Sequence, residues 1–340
     1  THKDSMIFGF YAEKLQKLYK IKLESHPGLS ECVTAYRKIE NPAVKGKYKS
    51  TIHFSHEAFS EIKKRGNNGC AVLKFDIESF FSSIDHKKLK EAWIDLLDLN
   101  TLPDDHYNVF KASTNFSYVL RDDLRLYPVY NRGKKVGFDE KKLAEIRKDG
   151  NVCFFESNRE LREAISSGSL KVYKNSFRND QEQVVGIPQG LPISALLANV
   201  YLLDFDKLIQ HKIVKSLGGY YRRYSDDIIV VCKIEEMEWV KKFVIDSIIN
   251  ISRVKISPEK TESFIFKPVT DILGVSNITS FKITVDNEIQ NYPFSYLGFE
   301  FYGYKTLIKS SNIAKFYRRM IFSVKSRAKR AVLAKVKGTA

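Results

Sequence analysis

The sequence predicts an α+β fold, in which helices and hairpin strands occupy different stretches of the chain. Apolar residues recur at helical spacing over residues 6–24 and 311–337, as in amphipathic helices. Short apolar runs at residues 71–77 and 294–302, rich in β-branched and aromatic side chains, predict strands. Hydrophobic residues make up 43% of the 340 residues, enough for one large domain or for two to three subdomains.

The first part of the chain is predicted to contain two helices and a buried strand. The helix at 6–24 is followed by a basic stretch that contains glycine and proline, from residue 36 to 49. Residues 55–65 are predicted to form a second helix, capped by Ser55. A glycine turn then leads into an apolar strand that ends in an acid, Asp76.

The segment from about residue 87 to 184 mixes helical periodicity with loops. Its predicted elements are helices at 86–98, 139–148 and 158–166 and a loop at 132–135. After it, a turn at 186–190 is predicted to open one helix that continues through Asp206. Because this helix is apolar on nearly every face, we expect it to be buried.

Two adjacent acids, Asp226 and Asp227, then open the apolar run Ile228 to Val231. This pattern predicts a β-hairpin with both carboxylates at its turn. The elements predicted after it are a helix, a polar turn, a strand and a basic amphipathic helix, at 236–250, 256–261, 294–302 and 311–337.

The charge balance indicates a polyanionic partner. The chain has 56 Lys and Arg against 40 Asp and Glu, a net charge of +16. Residues 301–340 contain no acidic residue. Nucleic acid is the partner that such a concentrated basic excess favours.

Cysteine usage and hydropathy indicate a cytoplasmic protein without a membrane segment. The four cysteines form no Cys-x-x-Cys pair, so neither a zinc site nor a disulfide framework is expected. The sequence has no secretory signal and no uninterrupted apolar stretch long enough to span a bilayer.

Three acids carry the predicted chemistry. A strand-end acid, Asp76, and two hairpin-turn acids, Asp226 and Asp227, can lie side by side in one sheet. Adjacent carboxylates repel each other, and Mg²⁺ takes oxygen ligands of this kind. Two such ions can hold the attacking and leaving oxygens of an in-line phosphoryl transfer. Taken alone, acids at strand ends and polar Asp-Asp turns are common, so the pattern needs further support.

That support is a resemblance to reverse transcriptases. Five stretches resemble the palm motifs of this family and occur in the family order. They are residues 75–86 around Asp76, 186–202 with Pro188-Gln189-Gly190, Tyr224-Ser225-Asp226-Asp227, 257–261 with Lys260, and 296–301 with Leu297-Gly298.

The resemblance implies a right-hand polymerase fold of fingers, palm and thumb. The palm would be an antiparallel sheet backed by helices, and the thumb would be helical and basic. The implied boundaries are fingers at 1–70, palm at 71–300 with an insertion at about 87–184, and a partial or reduced thumb at 301–340.

The resemblance also implies roles for the acids and for one aromatic residue. Asp76, Asp226 and Asp227 match the catalytic acids that hold two Mg²⁺ ions, with Mn²⁺ as a substitute, and the Ile77 carbonyl matches a further ligand. Phe81 matches the steric gate, whose ring would collide with a ribose 2′-hydroxyl and so select deoxynucleotides. The plain structural alternative for Phe81 is a core aromatic residue. For Asp226 and Asp227 it is an ordinary polar turn.

Further positions match nucleotide-binding and primer-binding features. Gln189 and Gly190 match the turn against the incoming nucleotide, and Lys260 matches a lysine that acts on the leaving pyrophosphate. Leu297 and Gly298 match the primer grip. Basic residues of the predicted fingers and thumb are expected to contact triphosphate or nucleic-acid backbone, although solvated lysines and arginines are the alternative; they are Arg37, Lys38, Lys47, Lys49, Lys315, Arg318, Arg319, Arg327 and Arg330.

Within the family, residues 35–38, 49–54 and 190–194 look most like the abortive-infection and defence-associated enzymes of prokaryotes, with retron and group II intron enzymes as relatives. The resemblance implies an RNA-directed DNA polymerase in antiphage defence, with dNTPs, a DNA product and a dedicated noncoding RNA template. A template-independent or protein-primed DNA polymerase is the alternative. A structural RNA-binding protein on an inactive palm fits the charge but not three retained acids, and an RNA-directed RNA polymerase fits poorly with Phe81. The oligomeric state stays open.

Overall fold

The computed structural model describes residues 2–124, 130–131, 134–135, 138–148, 154–270 and 272–336. The chain forms two compact units. Unit 1 comprises residues 1–11 and 81–194, and unit 2 comprises residues 12–80 and 195–340. The predicted boundaries of fingers, palm and thumb describe polymerase subdomains, whereas these two units are defined by their compactness. The subdomain boundaries therefore stay a prediction.

The described α-helices are these, in chain order: α1 (His2–Glu24), α2 (Leu29–Cys32), α3 (Thr51–Gly66), α4 (Phe80–Ser83), α5 (His86–Leu97), α6 (Asp104–Thr114), α7 (Glu140–Lys148), α8 (Asn158–Ser166), α9 (Ser194–Tyr201), α10 (Leu203–Ile209), α11 (Met237–Ser252) and α12 (Ser310–Val336). Short 3-10 turns occur at Arg121–Leu124, Ile234–Glu236 and Pro258–Lys260, and a π-helix occurs at Gln210–Ser216. Among the described residues, no helix combines the length and the apolar character needed to cross a lipid bilayer.

The described strands are these, in chain order: β1 (Cys70–Asp76), β2 (Ser117–Tyr118), β3 (Tyr130–Asn131), β4 (Lys134–Lys135), β5 (Tyr173–Lys174), β6 (Tyr220–Tyr224), β7 (Asp227–Cys232), β8 (Glu262–Thr270), β9 (Ser276–Ile283), β10 (Glu288–Gln290), β11 (Phe294–Tyr296), β12 (Phe299–Phe301) and β13 (Thr306–Ile308). The helical predictions at 86–98, 139–148 and 158–166 are confirmed by α5, α7 and α8. The predicted loop at 132–135 lies partly outside the described residues, and its last two residues form β4.

Unit 2 is built on a six-stranded sheet with the order β10-β9-β8-β1-β7-β6. Neighbouring strands in it are antiparallel. The predicted α+β class, an antiparallel sheet backed by helices, is confirmed. Strand β1 lies in the interior of the sheet, between β8 and β7. Its last residue, Asp76, pairs with Asp227 of β7, whereas β8 begins opposite Lys74 and does not reach Asp76.

Both faces of the central strands are covered. One face packs against α3 and the β11–β12 hairpin, and the other contacts α11 through β1. Because neither face meets solvent, β7 reads as the continuous buried run Ile228–Cys232 rather than as an alternating pattern. The core on the α3 side consists of Ala58, Phe59, Ile62, Cys70, Val72, Ile229, Val231, Phe264, Phe266, Ile278, Phe294, Tyr296 and Phe301.

The helix predicted at 55–65 begins earlier, so the prediction of Ser55 as its cap was wrong. Helix α3 starts at Thr51 and Ser50 is its N-cap, whose N–H donates to His53 Nδ1 at 3.0 Å. The Ser55 hydroxyl is buried inside the helix and donates to the Thr51 carbonyl at 2.8 Å. A serine inside a helix can satisfy its hydroxyl in this way. The sequence pattern therefore did not distinguish a serine inside the helix from a serine that caps it.

The single helix predicted from 186–190 through Asp206 is two helices in the structure. Residues before Ser194 form an irregular turn, in which Ser194 Oγ donates to the Pro188 carbonyl at 2.7 Å. Helix α9 then ends at Tyr201, because Leu202 adopts φ −95° and ψ 5°, away from helical values. The second helix, α10, continues into the π-helix that ends at Ser216.

In unit 1, helices α5 and α6 pack through buried aromatic rings. Trp93 Nε1 donates to His106 Nδ1 at 3.2 Å, and the Trp93 ring meets Phe110 edge to face. Strand β2 pairs with β5, and β3 pairs with β4. These contacts are local, and they show that much of the insertion at 87–184 has a packed core of its own.

Gly186 lies where the first two palm motifs meet inside unit 1. Its N–H donates to the Ile84 carbonyl at 2.8 Å, and its own carbonyl lies 2.7 Å from His86 Nε2. Its φ is +84°, and an added Cβ would lie 2.7 Å from the Ser82 carbonyl oxygen. Only glycine allows this backbone approach without movement of the chain.

We expect Gly186→Ala to lower the free energy of unfolding by about 2–4 kcal/mol, from the left-handed backbone and the overlap together. Gly168→Ala is a matched control, because Gly168 has φ +74° with nothing within 4 Å of an added Cβ. The control should lose only about 1–2 kcal/mol. Urea denaturation of both variants measures the difference, and equal losses would contradict the close approach.

Candidate active site

The three predicted acids lie at one end of the central strands of unit 2. Asp76 ends β1 and pairs directly with Asp227, which begins β7. Tyr224 pairs with Asp227 on the other side, so Ser225 and Asp226 form a two-residue hairpin turn. The Ile77 N–H donates to the Asp226 carbonyl at 3.1 Å, which ties the turn to the end of β1.

The turn has an unusual first residue. Ser225 has φ +61°, a left-handed value that two-residue hairpins require at this position and that glycine usually supplies. A non-glycine residue pays about 1–2 kcal/mol for this conformation. The Ser225 hydroxyl lies 3.0 Å from the Tyr36 hydroxyl, and this contact helps to hold the turn.

The acids are electrostatically crowded. Burial raises the pKa of Asp227 to about 6, and the negative charges of Asp226 and Asp76 add to the effect. The positive charges of Lys74 and Lys260 act in the opposite direction. A divalent cation between the carboxylates would relieve the same repulsion.

Lys260 is brought to these acids by a local turn. The Ser257 N–H donates to the Asp76 carbonyl at 2.9 Å, and the 3-10 turn that follows places Lys260 Nζ 2.7 Å from Asp76 Oδ1. This hydrogen bond raises the pKa of Lys260. The side chain is 64% exposed, so the ammonium can swing toward a ligand without unfolding the turn.

The donor set fits Mg²⁺, although it does not form a closed cage. Among the described residues, no three His, Cys, Asp or Glu side chains converge closely enough to hold an ion as they stand. Mg²⁺ in polymerase sites is held by one or two carboxylates together with substrate phosphates and water, and so does not need such a cage. Asp76 and Asp226 offer hard oxygen donors from adjacent backbone positions, next to the buried carboxylate of Asp227.

Phe81, Gln189 and Gly190 belong to unit 1. There the Ile187 N–H donates to the Phe81 carbonyl at 2.8 Å, which joins the residue predicted as the gate to the turn that contains Gln189. Gln189 is exposed. Gly190 has φ +99° with nothing within 4 Å of an added Cβ, so a ligand could approach its backbone.

The basic residues of the predicted fingers differ in their surroundings. The Arg37 guanidinium is half-buried and donates to the Ser30 and Val33 carbonyls, both at 2.6 Å. Lys49 Nζ pairs with Glu57 at 2.6 Å, whereas Lys38 is exposed. The contacts of Arg37 and Lys49 favour a structural role, and triphosphate binding by these residues stays a prediction.

The predicted primer grip is a tight turn between β11 and β12, so the strand predicted at 294–302 is a hairpin. Leu297 and Gly298 both have positive φ, 44° and 92°. The Gly298 carbonyl accepts hydrogen bonds from the Lys309 N–H at 3.0 Å and from Asn312 Nδ2 at 3.3 Å. The first turn of α12 is therefore anchored on this loop.

Helix α12 presents its charges to solvent. The predicted backbone-binding residues of this helix all have exposed side chains: Lys315, Arg318, Arg319, Arg327 and Arg330. Apolar residues of the same helix, such as Phe316 and Phe322, are exposed as well. The nucleic-acid contacts of this helix stay a prediction.

Two neighbours of the acids were missed by sequence reasoning. Tyr36 reaches Ser225 from a segment 189 positions earlier in the chain, and Lys74 influences Asp227 across the β1–β7 pair. Lys74 could have been found, because it precedes Asp76 by two positions on a strand and so shares its face. Nothing in the sequence indicated the contact between Tyr36 and Ser225, since this contact depends on tertiary structure.

A comparison with known families finds a match over slightly less than half of the chain. Residues 138–301 match the family described as reverse transcriptase (RNA-dependent DNA polymerase). The matched segment contains Asp226, Asp227 and Lys260, whereas Asp76 and Phe81 lie before it. No curated protein matches the chain.

Solved structures of telomerase are similar at low identity. The apo telomerase of Candida tropicalis is 13% identical with a TM-score of 0.43, over 88% of this chain and 41% of the telomerase chain. A telomerase of Candida albicans in complex with the TWJ fragment of telomeric RNA is 13% identical with a TM-score of 0.41, over 90% of this chain and 38% of that one. This chain thus spans less than half the length of these telomerase chains.

Because the TM-scores and sequence identities of these structures are low, the classification of the chain rests on the family match. The matched segment includes the hairpin with both acids and the loop at Leu297 and Gly298. The mixed helices and antiparallel sheet agree with the right-hand polymerase class that the motifs predicted. Residues 138–301 are therefore similar to the reverse transcriptase (RNA-dependent DNA polymerase) family, and the fold of the chain agrees with that similarity.

Proposed function

We propose that this protein copies RNA into DNA by adding dNTPs to a 3′ hydroxyl. The observation that carries the proposal is the pairing of Asp76 with Asp227 beside the Asp226 turn, at one end of the central strands. Acids 150 positions apart in sequence meet there, next to a lysine, in a chain similar to the reverse transcriptase family. A surface turn without function has no reason to gather like charges from separate strands.

Asp76 and Asp226, with the Ile77 carbonyl, would hold two Mg²⁺ ions, and Mn²⁺ would substitute. Bound there, the ions would supply Lewis-acid stabilisation of the attacking and leaving oxygens. Asp227 supports the site through its own charge from the position opposite Asp76. Lys260 Nζ is exposed and protonated, so it can leave Asp76 and donate to the departing pyrophosphate.

A primer-extension assay tests the activity. Purified protein with Mg²⁺ and labelled dNTPs should extend a DNA primer on an RNA template, with a product sequence complementary to that RNA. Products of arbitrary sequence in a reaction without template would instead favour the template-independent or protein-primed alternative. No incorporation in either reaction, with Mg²⁺ or Mn²⁺, would overturn both.

Phe81→Ala should relax sugar discrimination. If the Phe81 ring blocks the 2′-hydroxyl, its removal should raise incorporation of ribonucleotides relative to deoxynucleotides by about 10–200-fold. Single-nucleotide incorporation with paired rNTP and dNTP reactions measures the ratio. Phe116→Ala, in the same unit, is the control, and an unchanged ratio in Phe81→Ala would mean that the gate lies elsewhere.

We further propose that the enzyme belongs to the defence-associated group of prokaryotes and acts in the cytoplasm on a dedicated noncoding RNA. The resemblance of residues 35–38, 49–54 and 190–194 to that group, and the net charge of +16, support this proposal. Sequencing of the nucleic acid that co-purifies with the protein from its own host should show one dominant structured RNA and its cDNA. A random sample of cellular RNA, with no phage sensitivity on deletion, would contradict it.

A further inference from the structure

A fully buried ion pair, Arg223 with Asp206, lies next to the Ser225–Asp226 turn. The side chains of Arg223 and Asp206 are both 0% exposed. Arg223 Nε donates to Asp206 Oδ1 at 2.8 Å and Nη2 donates to Asp206 Oδ2 at 2.6 Å, a bidentate arrangement. The Tyr221 hydroxyl donates to the same carboxylate at 2.5 Å. No predicted role of the polymerase site uses these residues.

The remaining nitrogen of Arg223 reaches the turn itself. Nη1 donates to the Ser225 carbonyl and to Asn199 Oδ1, both at 3.1 Å. Asn199 Nδ2 in turn donates to the Ala35 carbonyl at 3.0 Å. One guanidinium thus joins helices α9 and α10 to the residue immediately before Asp226.

The backbone of Arg223 is held as well. Its carbonyl accepts hydrogen bonds from the Thr34 N–H at 3.0 Å and from Thr34 Oγ1 at 3.1 Å. The strand that enters the turn is therefore held on its backbone and on its side chain. The turn needs such support, because Ser225 is in a left-handed conformation that it does not favour.

Stability alone is a weak reason for this arrangement. Replacement of a buried ion pair by apolar residues of similar size is often neutral or stabilising, because desolvation of both charges offsets their attraction. What apolar residues cannot supply is a directed hydrogen bond to the Ser225 carbonyl. The geometry of the pair is therefore better explained by the position of the turn than by the stability of the fold.

We infer that the Asp206–Arg223–Asn199 network is a positioning device that fixes the Ser225–Asp226 turn against the end of β1. The inference rests on the proposed function only in calling that turn catalytic. Loss of the network should leave the fold and nucleotide binding in place while the Asp226 carboxylate moves relative to Asp76. Displacement of a catalytic group by about 1 Å can cost about 100-fold in rate.

The test uses the full chain with the network replaced by apolar residues, as Arg223→Met with Asp206→Leu and Tyr221→Phe. A second variant, Arg223→Lys, keeps a cation beside Asp206, but its single nitrogen cannot also reach Ser225. The matched control is Arg65→Met with Glu61→Leu, a pair at 2.7 Å in unit 2 whose further hydrogen bond, from Arg65 Nη1, goes to the Gly218 carbonyl rather than to the turn.

Hydrogen exchange and kinetics are measured on each variant. In the apolar variant the Ile77 amide, which donates to the Asp226 carbonyl, should lose about tenfold or more of its exchange protection. The rate constant of single-nucleotide addition should fall about 10–100-fold, while the Kd for the dNTP changes less than about threefold. For Arg223→Lys, the exchange protection of Ile77 and the rate constant should lie between those of wild type and of the apolar variant. The control should match wild type in both measurements.

Each outcome decides the inference. A folded apolar variant with wild-type exchange at Ile77 and a wild-type rate would overturn it. Unfolding of both Arg223 variants, with a folded control, would also overturn it in favour of a purely structural ion pair. If the wild-type protein adds no nucleotide at all, the proposed function fails, whereas the exchange at Ile77 still decides this inference.

Discussion

Asp226→Ala should lower the rate of nucleotide addition by about 10³-fold or more, and Asp76→Ala should do the same. Each substitution removes a hard oxygen donor that would hold a Mg²⁺ ion, and the transition-state stabilisation that this ion would supply should be lost with it. Because both residues lie at the end of the sheet rather than in its core, the fold should survive. Single-turnover extension of a primed RNA by each purified variant measures the loss.

The sheet provides a matched control for this experiment. Asp286 lies in the turn between β9 and β10, an exposed acid at another hairpin of the same sheet. Asp286→Ala should keep the wild-type rate. Since both variants lose one negative charge, a difference between them shows an effect of the acid's position rather than of the net charge. If Asp226→Ala kept more than a tenth of the wild-type rate, the assignment of the catalytic turn would be wrong.

Asp227→Asn should make the protein more stable at pH 7–8 by about 1–3 kcal/mol while it impairs activity. In the folded chain the pKa of Asp227 is about 6, mainly because of burial. In the unfolded chain an aspartate titrates near about 3.9. Between these values the folded state binds more protons, so wild-type stability falls as the pH rises from about 4 to about 6 and stays lower above that.

Urea denaturation at several pH values checks this prediction. Asparagine carries no charge at any pH, so the gain over wild type should be absent below about pH 4 and complete above about pH 6–7. Asp286→Asn, an exposed position, is the control and should show no pH-dependent gain of this size. A gain that is constant with pH, or a loss at pH 8, would show that Asp227 is not destabilised by its surroundings.

Local patterns predicted the elements that carry the site. The apolar run after Asp227 and the strand that ends in Asp76 follow from short-range burial, and the structure confirms both as strands. The prediction that these two strands lie side by side came from the resemblance rather than from periodicity, since 150 positions separate Asp76 from Asp226. Pairing over such a distance leaves no local pattern in a single sequence.

Features that depend on tertiary contacts were not predicted. The sequence pattern did not predict the ion pair of Arg223 with Asp206, because a buried ion pair is visible only when both partners are known to face inward. The break at Leu202 was missed, since the apolar pattern runs through it without interruption. The start of α3 was not predicted, because the pattern placed the cap at Ser55, whereas in the structure Ser50 caps the helix and its N–H donates to His53 Nδ1.

The pairing of β1 with β7 also sets the order in which the protein can be made. Strand β1 leaves the ribosome about 150 residues before its neighbour β7, which at roughly 5–20 residues per second is a delay of about 8–30 s. During that time β1 is an apolar strand without either of its partners in the sheet. Unpaired apolar strands of this kind are prone to aggregation. Nascent chains that end before β7 therefore cannot bring Asp76 and Asp227 together, so the candidate site can form only after residue 227 has been synthesised.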